Sequence, residues 1–348
     1  MCYMAAYAWA VIGAGPAGIA AVGRLLDHGI AAEKIAWIDP AFAAGDLGQK
    51  WRAVSSNTIA ETFLHFLNGS AAFRFSEAPP LPLRDVEPGQ TCALDLVADP
   101  LVWITSHLRE RVHVFQTTAT SLFLGNRQWR IETGQQEVVA ENVILAVGAV
   151  PKKLAYPGLQ EIDVEVALDP DRLAEQSLDG ATVAVFGSSH SSMIVLPNLL
   201  RNPVERVINF YQSPLKYAVY LDDWILFDDT GLKGQAAAWA RENIDGVYPE
   251  RLDRCWVSSP EFDDKLAQCD RVVYTVGFER RKLPETPQWG PLDYNRRNGI
   301  LAPGLFGLGI GFPEYAEDPY GFGQYRVGLK KFMDYLDAVL PLWLLYPT

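Results

Sequence analysis

The sequence predicts an α/β fold with two Rossmann-like units, because one local pattern occurs twice. Residues 8–26 and residues 182–200 each combine a short apolar strand, a turn rich in Gly and Ser, and an apolar helix. Further apolar runs typical of buried parallel strands lie at residues 35–39, 142–147, 206–211 and 271–276. Strands that alternate with helices favour parallel sheets, so we expect one such sheet in each unit.

The remaining elements are justified by simpler patterns. Residues 128–133 and 137–140 alternate apolar and polar side chains around Gly134, which predicts a hairpin. Apolar residues at helical spacing predict helices at residues 99–112, 235–243 and 325–340. A short apolar run at residues 305–308 predicts one more strand, and residues 43–82 show no regular pattern.

Composition excludes several classes of protein. The 348 residues suffice for two domains, and 49% hydrophobic with 21% charged residues is ordinary globular composition. The net charge of −12 disfavours binding to phosphate backbones and to anionic membranes, so we expect no nucleic-acid partner and no membrane partner. No apolar run approaches the ~18 residues of a membrane span, and no secretory signal is recognisable. We therefore expect a cytoplasmic protein.

The four cysteines predict neither a metal site nor redox chemistry. Cys2, Cys92, Cys255 and Cys269 form no C-x-x-C pair, and no Cys or His spacing resembles a zinc site. A chain of this size needs no disulfide framework, which favours a reducing compartment.

The first turn is a dinucleotide fingerprint, G-x-G-x-x-G. Gly13 permits the tight turn, Gly15 lets the backbone approach a pyrophosphate, and Gly18 lets the helix pack on the strand. The phosphates are then expected at the positive end of the helix, and Asp39 can accept hydrogen bonds from a ribose. The predicted contacts are Gly13, Gly15, Pro16, Ala17, Gly18 and Asp39. The string GAGPAG is similar to that of FAD-binding flavoproteins, so FAD is the predicted cofactor.

The second turn is a weaker fingerprint, in which Gly187 is followed by serines at the other two glycine positions. Serine is small enough for close packing, and its hydroxyl can bind phosphate. We therefore predict that Gly187, Ser188, Ser189 and Ser192 bind a second dinucleotide.

The same residues also resemble the G-x-S-x-G elbow of a serine hydrolase, with Ser189 as nucleophile. The last glycine of that elbow is missing, and no histidine follows His190 to complete a triad. The nucleotide interpretation is therefore favoured over the hydrolase.

The choice between NADPH and NADH depends on the end of the next strand. This strand ends at Gln212 without an acidic residue that would hold a free ribose. Lys216 and the run 280–282, Arg-Arg-Lys, are candidate partners of a 2′-phosphate. We favour NADPH, and NADH remains open.

Three further glycine segments extend the pattern. VILAVGAVP contains Gly148, VYTVGF contains Gly277, and LFGLG ends at Gly309. With both fingerprints, these segments resemble the two-dinucleotide-binding-domain flavoproteins of the pyridine nucleotide-disulfide oxidoreductase type, and among them the flavin-containing monooxygenases. The resemblance implies two three-layer ββα domains, with an NAD(P) domain at residues 153–269 inserted into a discontinuous FAD domain at residues 1–152 and 270–348. Gly148, Gly277 and Gly309 are then further cofactor contacts.

The segment after the first unit carries the catalytic expectation. Flavin-containing monooxygenases have a Gly…Trp pair and then Asn-Thr in this region, here Gly48, Trp51, Asn57 and Thr58. The resemblance implies that Trp51 contacts the flavin and that Asn57 lies at its reactive edge, where an amide can hydrogen-bond a flavin peroxide. Alternatively, Asn57 and Thr58 cap a helix near Ile59, and Trp51 anchors the core. The monooxygenase signature F-x-G-x-x-x-H is absent, and Ile310 replaces a common Asp.

These observations predict an FAD-dependent oxidoreductase that consumes NAD(P)H. The resemblance implies a monooxygenase that oxygenates a small N- or S-nucleophile. A reductase of a quinone, a small electrophile or a protein carrier is one alternative, and a non-catalytic flavoprotein is another. The acidic pairs 222–223 and 228–229 are expected in an exposed loop, and a homodimer is a possible assembly.

Overall fold

The computed structural model describes residues 6–346. Its strands are β1 Tyr7–Ile12, β2 Ile35–Ile38, β3 Ser55–Ile59, β4 Thr91–Ala93, β5 His113–Phe115, β6 Ala119–Gly125, β7 Gln128–Thr133, β8 Glu137–Leu145, β9 Ala149–Pro151, β10 Gln160–Glu161, β11 Thr182–Phe186, β12 Arg206–Tyr211, β13 Val219–Tyr220, β14 Ile225–Leu226, β15 Leu252–Trp256, β16 Arg271–Tyr274, β17 Phe278–Arg280, β18 Ile300–Ala302, β19 Leu305–Gly307, β20 Glu314–Glu317 and β21 Gly323–Arg326. Its α-helices are α1 Pro16–Asp27, α2 Gly45–Gln49, α3 Ala60–Leu67, α4 Asp95–Arg109, α5 Val164–Ala167, α6 Pro170–Ala174, α7 His190–Leu200, α8 Gly234–Asn243, α9 Phe262–Leu266 and α10 Leu329–Leu344.

The first sheet has the strand order β18-β19-β8-β1-β2-β5, and β6 and β7 continue from β8 as an antiparallel layer. Successive residues of β1 face opposite sides. Trp9 and Val11 join the core formed with α1, α4 and α10, whereas Ala10 and Ile12 pack against Trp129 and its neighbours from the antiparallel strands. The sheet is therefore covered on both sides, which gives the three-layer ββα arrangement and explains why its central strands are apolar throughout.

The second sheet has the order β10-β16-β11-β12-β15, and all its pairings are parallel. Its strands all fall between residues 160 and 256 or at residues 271–274, whereas the first sheet takes strands from both sides of that region. The predicted inserted architecture is therefore confirmed. The limits at residues 152 and 270 as boundaries of independently folding units remain a prediction.

Two glycine segments form the connection between the sheets. Gly148 and Gly277 have φ values of +77° and +90°, which residues with a side chain rarely adopt. Each glycine directly precedes a short strand, β9 or β17, that links the two domains. The linkers β9 and β17 pair antiparallel with each other. The chain thus leaves and re-enters the first domain through neighbouring strands.

Several predicted elements are wrong in their limits. Residues 137–140 and 142–147, predicted as two strands, form one strand that ends at Leu145. The predicted helix at 325–340 begins only at Leu329, because Gly328 has a φ of +150° and Tyr325 belongs to β21. The helix predicted at 99–112 is displaced toward the N-terminus: it begins at Asp95, so that Pro100 lies inside it, and it ends at Arg109.

Two hairpins that the sequence did not predict connect the domains. One is β13–β14 in the inserted region, and the other is β20–β21 near the C-terminus. Trp224 contacts Tyr320 edge-to-face at 5.1 Å between ring centroids. Phe227 contacts Phe322 in the same way at 5.0 Å. Within residues 6–346, no helix is long and apolar enough to cross a membrane.

Candidate cofactor and active site

A cavity of about 660 Å³ lies between the two sheets, and its wall includes the first fingerprint turn and the first residues of α7, which follow the second turn. Gly13, Gly15 and Pro16 line it from the first domain, and His190 and Ser191 line it from the second. Its volume is within the range of cofactor and ligand sites. The two predicted nucleotide units therefore face one shared space.

The three glycines of the first turn have the separate roles that the motif predicts. Gly13 has a φ of +112°, and a Cβ added to it would lie 2.2 Å from the carbonyl oxygen of Ala146. A Cβ on Gly18 would lie 1.9 Å from the carbonyl oxygen of Gly13. Gly15 has no such close neighbour and leaves its backbone open to the cavity. The first and third glycines are thus required by packing, and the second by access.

Asp39 follows β2 and stabilises the turn. Its carboxylate accepts hydrogen bonds from the backbone N–H groups of Ala14 at 2.7 Å, Ala41 at 2.8 Å and Phe42 at 2.7 Å. Asp39 is half-buried and lines the cavity. It therefore positions the turn in addition to facing the place expected for a ribose.

The C-terminal segment completes the wall of the first domain. Gly309 has a φ of +83°, and a Cβ on it would lie 2.5 Å from the Cβ of Ala17. Ile310 and Gly148 line the cavity beside it. An apolar side chain therefore stands where many relatives of the resembled family have Asp.

The second turn keeps only one glycine that packing requires. Gly187 has a φ of +128°, and an added Cβ would lie 2.4 Å from the hydroxyl of Thr275. The hydroxyl of Ser188 donates to the carbonyl of Ser213 at 2.9 Å. Ser192 is fully buried, and its hydroxyl donates to the carbonyl of Ser189 at 2.9 Å. Ser192 therefore takes the packing place of the third glycine, while Ser189 remains exposed at the start of α7.

The cations proposed for a 2′-phosphate lie in different places. Lys216 is exposed, with its Nζ 5.3 Å from the ring centroid of Phe227, and its phosphate role remains a prediction. Arg281 instead pairs with Asp46 at 2.6 Å beside the first fingerprint. The run 280–282 begins with the last residue of the linker β17, and its role toward a 2′-phosphate also remains a prediction.

Asn57 lies in β3 and lines the cavity. The alternative capping role is wrong: α3 begins at Ala60, its N-cap is Ile59, and no side chain caps it. The Oδ1 of Asn57 accepts a hydrogen bond from the Thr58 hydroxyl at 3.3 Å. Its Nδ2 has no hydrogen-bond acceptor among residues 6–346, so this donor is available to a ligand.

Trp51 has the core-anchoring role that the sequence offered as the alternative, and its contact with the flavin remains a prediction. It lines the cavity, and it packs against the core of the second domain. Its ring lies edge-to-face with Phe278 of the linker β17, at 6.0 Å between centroids. Trp51 thus connects the segment that carries Asn57 to the linkers.

A charged cluster at the cavity was missed by the sequence analysis. Lys233 is 7% exposed and binds Asp228 through both the carboxylate and the backbone carbonyl. Lys331 of α10 pairs with Asp228 at 2.5 Å and with Asp229 at 2.8 Å. Burial alone would raise the pKa of Asp228, but the charges of Lys331 and Lys233 bring it below its ordinary value. The expectation of an exposed loop is wrong for the pair 228–229, and no sequence motif indicated its lysine partners.

Both helix ends at the cavity suit an anionic ligand. α1 and α7 carry no acidic residue in the first turn, and no side chain caps either helix. No carboxylate of the first turn therefore competes with a bound anion for the N-terminal N–H groups. Pro16 starts α1 without a donor, as is common at this position. The residues present therefore fit two pyrophosphates, one at each turn.

Comparison with known proteins agrees with this geometry. The family model described as pyridine nucleotide-disulphide oxidoreductase matches residues 7–195, more than half of the chain. The chain belongs to this family. The oxidoreductase is 34% identical, over 96% of its length and 97% of the relative's, to monooxygenase AgnR1 of Paecilomyces divaricatus. The predicted family is confirmed.

Solved structures confirm the fold. The ornithine N-hydroxylase of Kutzneria sp. 744, in a structure with reduced FAD, NADP⁺ and L-ornithine, has a TM-score of 0.68 and 14% identity, covering 98% of this chain and 99% of that one. The flavin-containing monooxygenase of Stenotrophomonas maltophilia has a TM-score of 0.64 and 16% identity, covering 99% of each chain.

Proposed function

We propose that this oxidoreductase is an NADPH-dependent FAD monooxygenase that oxygenates a small N- or S-nucleophile. The overall reaction consumes substrate, O₂, NADPH and a proton, and yields the oxygenated substrate, water and NADP⁺. Bound FAD supplies the redox chemistry by accepting a hydride and passing electrons to oxygen. The likeness to monooxygenase AgnR1 and to the ornithine N-hydroxylase of Kutzneria sp. 744 supports this proposal.

The observation that carries the proposal is Asn57 in the cavity that both fingerprints share. Its Nδ2 donor has no acceptor in the described part of the chain, and an amide donates without titrating. Such a donor stabilises negative charge that develops on oxygen in a site from which water is excluded. The apolar side chains of Val54, Phe63 and Phe332 line the same cavity and give this part of its wall an apolar surface.

Other residues bind and orient the two cofactors. The turn Gly13–Gly18 and the N-terminus of α1 would hold the pyrophosphate of FAD, with Asp39 toward its ribose. The turn at Gly187 and the N-terminus of α7 would hold NADP(H). The strand β12 is followed by an exposed, uncharged Gln212, so no carboxylate at this position would repel a 2′-phosphate.

The buried cysteines argue against a dithiol–disulfide reaction. Cys92, Cys255 and Cys269 are free and buried, and none of these three lines the cavity. Burial raises the pKa of each thiol, and that of Cys269 reaches about 12. A thiol with a raised pKa forms little of the thiolate that disulfide exchange requires.

Oxygen transfer is tested with the FAD-loaded enzyme, NADPH and ¹⁸O₂, using trimethylamine and thioanisole as probe substrates. We expect ¹⁸O in the N-oxide or sulfoxide and NADPH consumption that increases with the probe. Release of hydrogen peroxide without product from either probe, combined with rapid reduction of menadione by NADPH, would overturn the proposal in favour of a quinone reductase. Absence of NADPH oxidation with every acceptor would instead indicate a non-catalytic flavoprotein.

A further inference from the structure

His190 is the first residue of α7 and lines the cavity from the second domain. Its Nε2 lies 3.0 Å from the carbonyl oxygen of Ser55, in the strand of the first domain that also carries Asn57. The imidazole therefore connects the second fingerprint with the active-site strand. The fingerprint motif itself assigns no role to this position.

The contact with Ser55 determines the tautomer of the ring. A backbone carbonyl can only accept a hydrogen bond, so Nε2 must carry the proton that it donates. In the neutral ring, Nδ1 is then an unprotonated acceptor.

This acceptor has no protein partner. Nδ1 of His190 is buried and makes no hydrogen bond within residues 6–346. Burial, together with the charge of Lys233, lowers the pKa of the imidazole, although its bond to Ser55 acts in the opposite direction. The ring is thus neutral at physiological pH, and a buried acceptor without a donor destabilises the site until a donor arrives.

We propose that Nδ1 of His190 accepts a hydrogen bond from the nicotinamide riboside half of NADP(H). This half carries O–H and N–H donors. The pyrophosphate carries only acceptors, so it cannot satisfy an unprotonated nitrogen. The position of His190 at the N-terminus of α7, inside the cavity, places the acceptor next to the turn that would hold that pyrophosphate. The inference rests on the proposed function only through the binding of NADP(H) at the second fingerprint.

Two isosteric variants separate the two nitrogens. His190→Gln retains an amide that reaches Ser55, but it has no acceptor at the position of Nδ1. His190→Asn retains a polar amide near Nδ1 but cannot reach Ser55. The readout is the affinity of the oxidised, FAD-loaded enzyme for NADP⁺ by calorimetry, which needs neither oxygen nor substrate and is independent of the monooxygenase proposal.

We expect His190→Gln to weaken NADP⁺ binding about tenfold, the effect of losing one hydrogen bond to a buried group, and His190→Asn to change it less than threefold. Adenosine 2′,5′-bisphosphate lacks the nicotinamide riboside half, so it should bind the wild type and His190→Gln equally. Unchanged NADP⁺ affinity in His190→Gln would overturn the proposal. Equal losses in both variants would also overturn it, since they would trace to packing of the ring.

A measurement on the wild-type protein covers the case in which a variant does not fold. In the ¹⁵N spectrum of histidine-labelled enzyme, the Nδ1 resonance of His190 should shift on addition of NADP⁺ and stay unchanged with adenosine 2′,5′-bisphosphate. A resonance that does not respond to NADP⁺ at saturation would contradict the proposed hydrogen bond.

Discussion

The two fingerprint turns share one backbone plan but differ in how the following strand stabilises them. In each, the carbonyl of the first glycine accepts a side-chain hydrogen bond from the next strand: Gly13 from Trp37 at 2.9 Å, and Gly187 from Asn209 at 2.7 Å. The end of that strand then differs. Asp39 accepts the N–H of Ala14 with a carboxylate, whereas the second turn uses a hydroxyl donor and a backbone carbonyl.

This difference shows that the two turns share a backbone geometry, while the charge at the end of the following strand differs between them. The first strand end is anionic and suits the hydroxyls of a ribose, while the second is neutral and tolerates a further phosphate. The packing also differs, because the first helix has no room for a side chain at its third glycine position and the second helix accepts Ser192 there. The predictions below examine each of these contrasts.

The largest expected effect is that of Gly18→Ala. The new Cβ would overlap the carbonyl oxygen of Gly13, so the turn must move, and overpacking of this kind costs about 3 kcal/mol. We expect loss of FAD from the purified protein and a lower unfolding midpoint in urea. Gly134→Ala is the matched control, because a Cβ there meets no atom within 4 Å. Retention of FAD by Gly18→Ala would mean that the first helix is not held tightly to its turn.

The second-largest effect is expected for Asn57→Asp, which tests the role of the Asn57 amide in β3. A carboxylate removes the donor and places negative charge beside the site where it should be stabilised. We expect the rate of formation of oxygenated product to fall roughly 100-fold, the lower end of the loss when one such donor is removed. NADPH oxidation should continue, with more hydrogen peroxide released per NADPH.

The control for charge is Asn68→Asp, at the exposed C-cap of α3. It adds the same charge on the surface, so product formation should stay at the wild-type rate. Equal product yields for Asn57→Asp and the wild type would remove Asn57 from the mechanism.

The same contrasts show which features were accessible from the sequence. The turns at Gly13 and Gly187 and their strands were predictable, because local glycine sterics and apolar runs determine them. The three-layer arrangement followed from the family resemblance. The start of the last helix was misplaced because apolar spacing continues through Tyr325 into a hairpin, and periodicity does not register the left-handed backbone of Gly328.

The polar wall of the cavity could not be predicted in this way. Lys331 meets Asp228 and Asp229 only because a loop of the second domain reaches the last helix of the first. His190 likewise forms its hydrogen bond with a carbonyl that lies far away in the chain, that of Ser55. Such contacts depend on the tertiary arrangement, and one sequence holds no periodic signal for them.

The next effect concerns acid stability, and it is specific to the second turn. The folded-state pKa of His190 lies below its ordinary value of 6.5, mainly because of burial and then because of the charge of Lys233. Below pH 6.5 the unfolded chain therefore binds the proton more readily. The neutral, buried ring of His190 therefore contributes its full stabilisation above pH 6.5. This stabilisation is lost as the pH falls from 6.5 toward the folded-state pKa, by at most about 1.4 kcal/mol per pH unit.

Urea unfolding of the wild type and His190→Gln at several pH values between 7 and 5 measures this loss. The difference in unfolding free energy between them should change with pH in that window, and His190→Asn should lose the same pH dependence as His190→Gln. Parallel pH profiles for the wild type and both variants would show that the ring stays protonatable in the folded protein.

The smallest effect is expected for Ser192→Ala, the counterpart of Gly18 in the second turn. The substitution keeps the Cβ for which α7 has room and removes only the buried hydroxyl that donates to Ser189, at a cost of about 1 kcal/mol. FAD content should not change, because the hydroxyl is far from the first turn in the chain and does not line the cavity. Ser106→Ala is the control, since that exposed hydroxyl makes the same kind of bond within α4, to the carbonyl of Val102. A loss for Ser192→Ala as large as that for Gly18→Ala would mean that both turns tolerate no change at the third position, and the contrast in packing would fail.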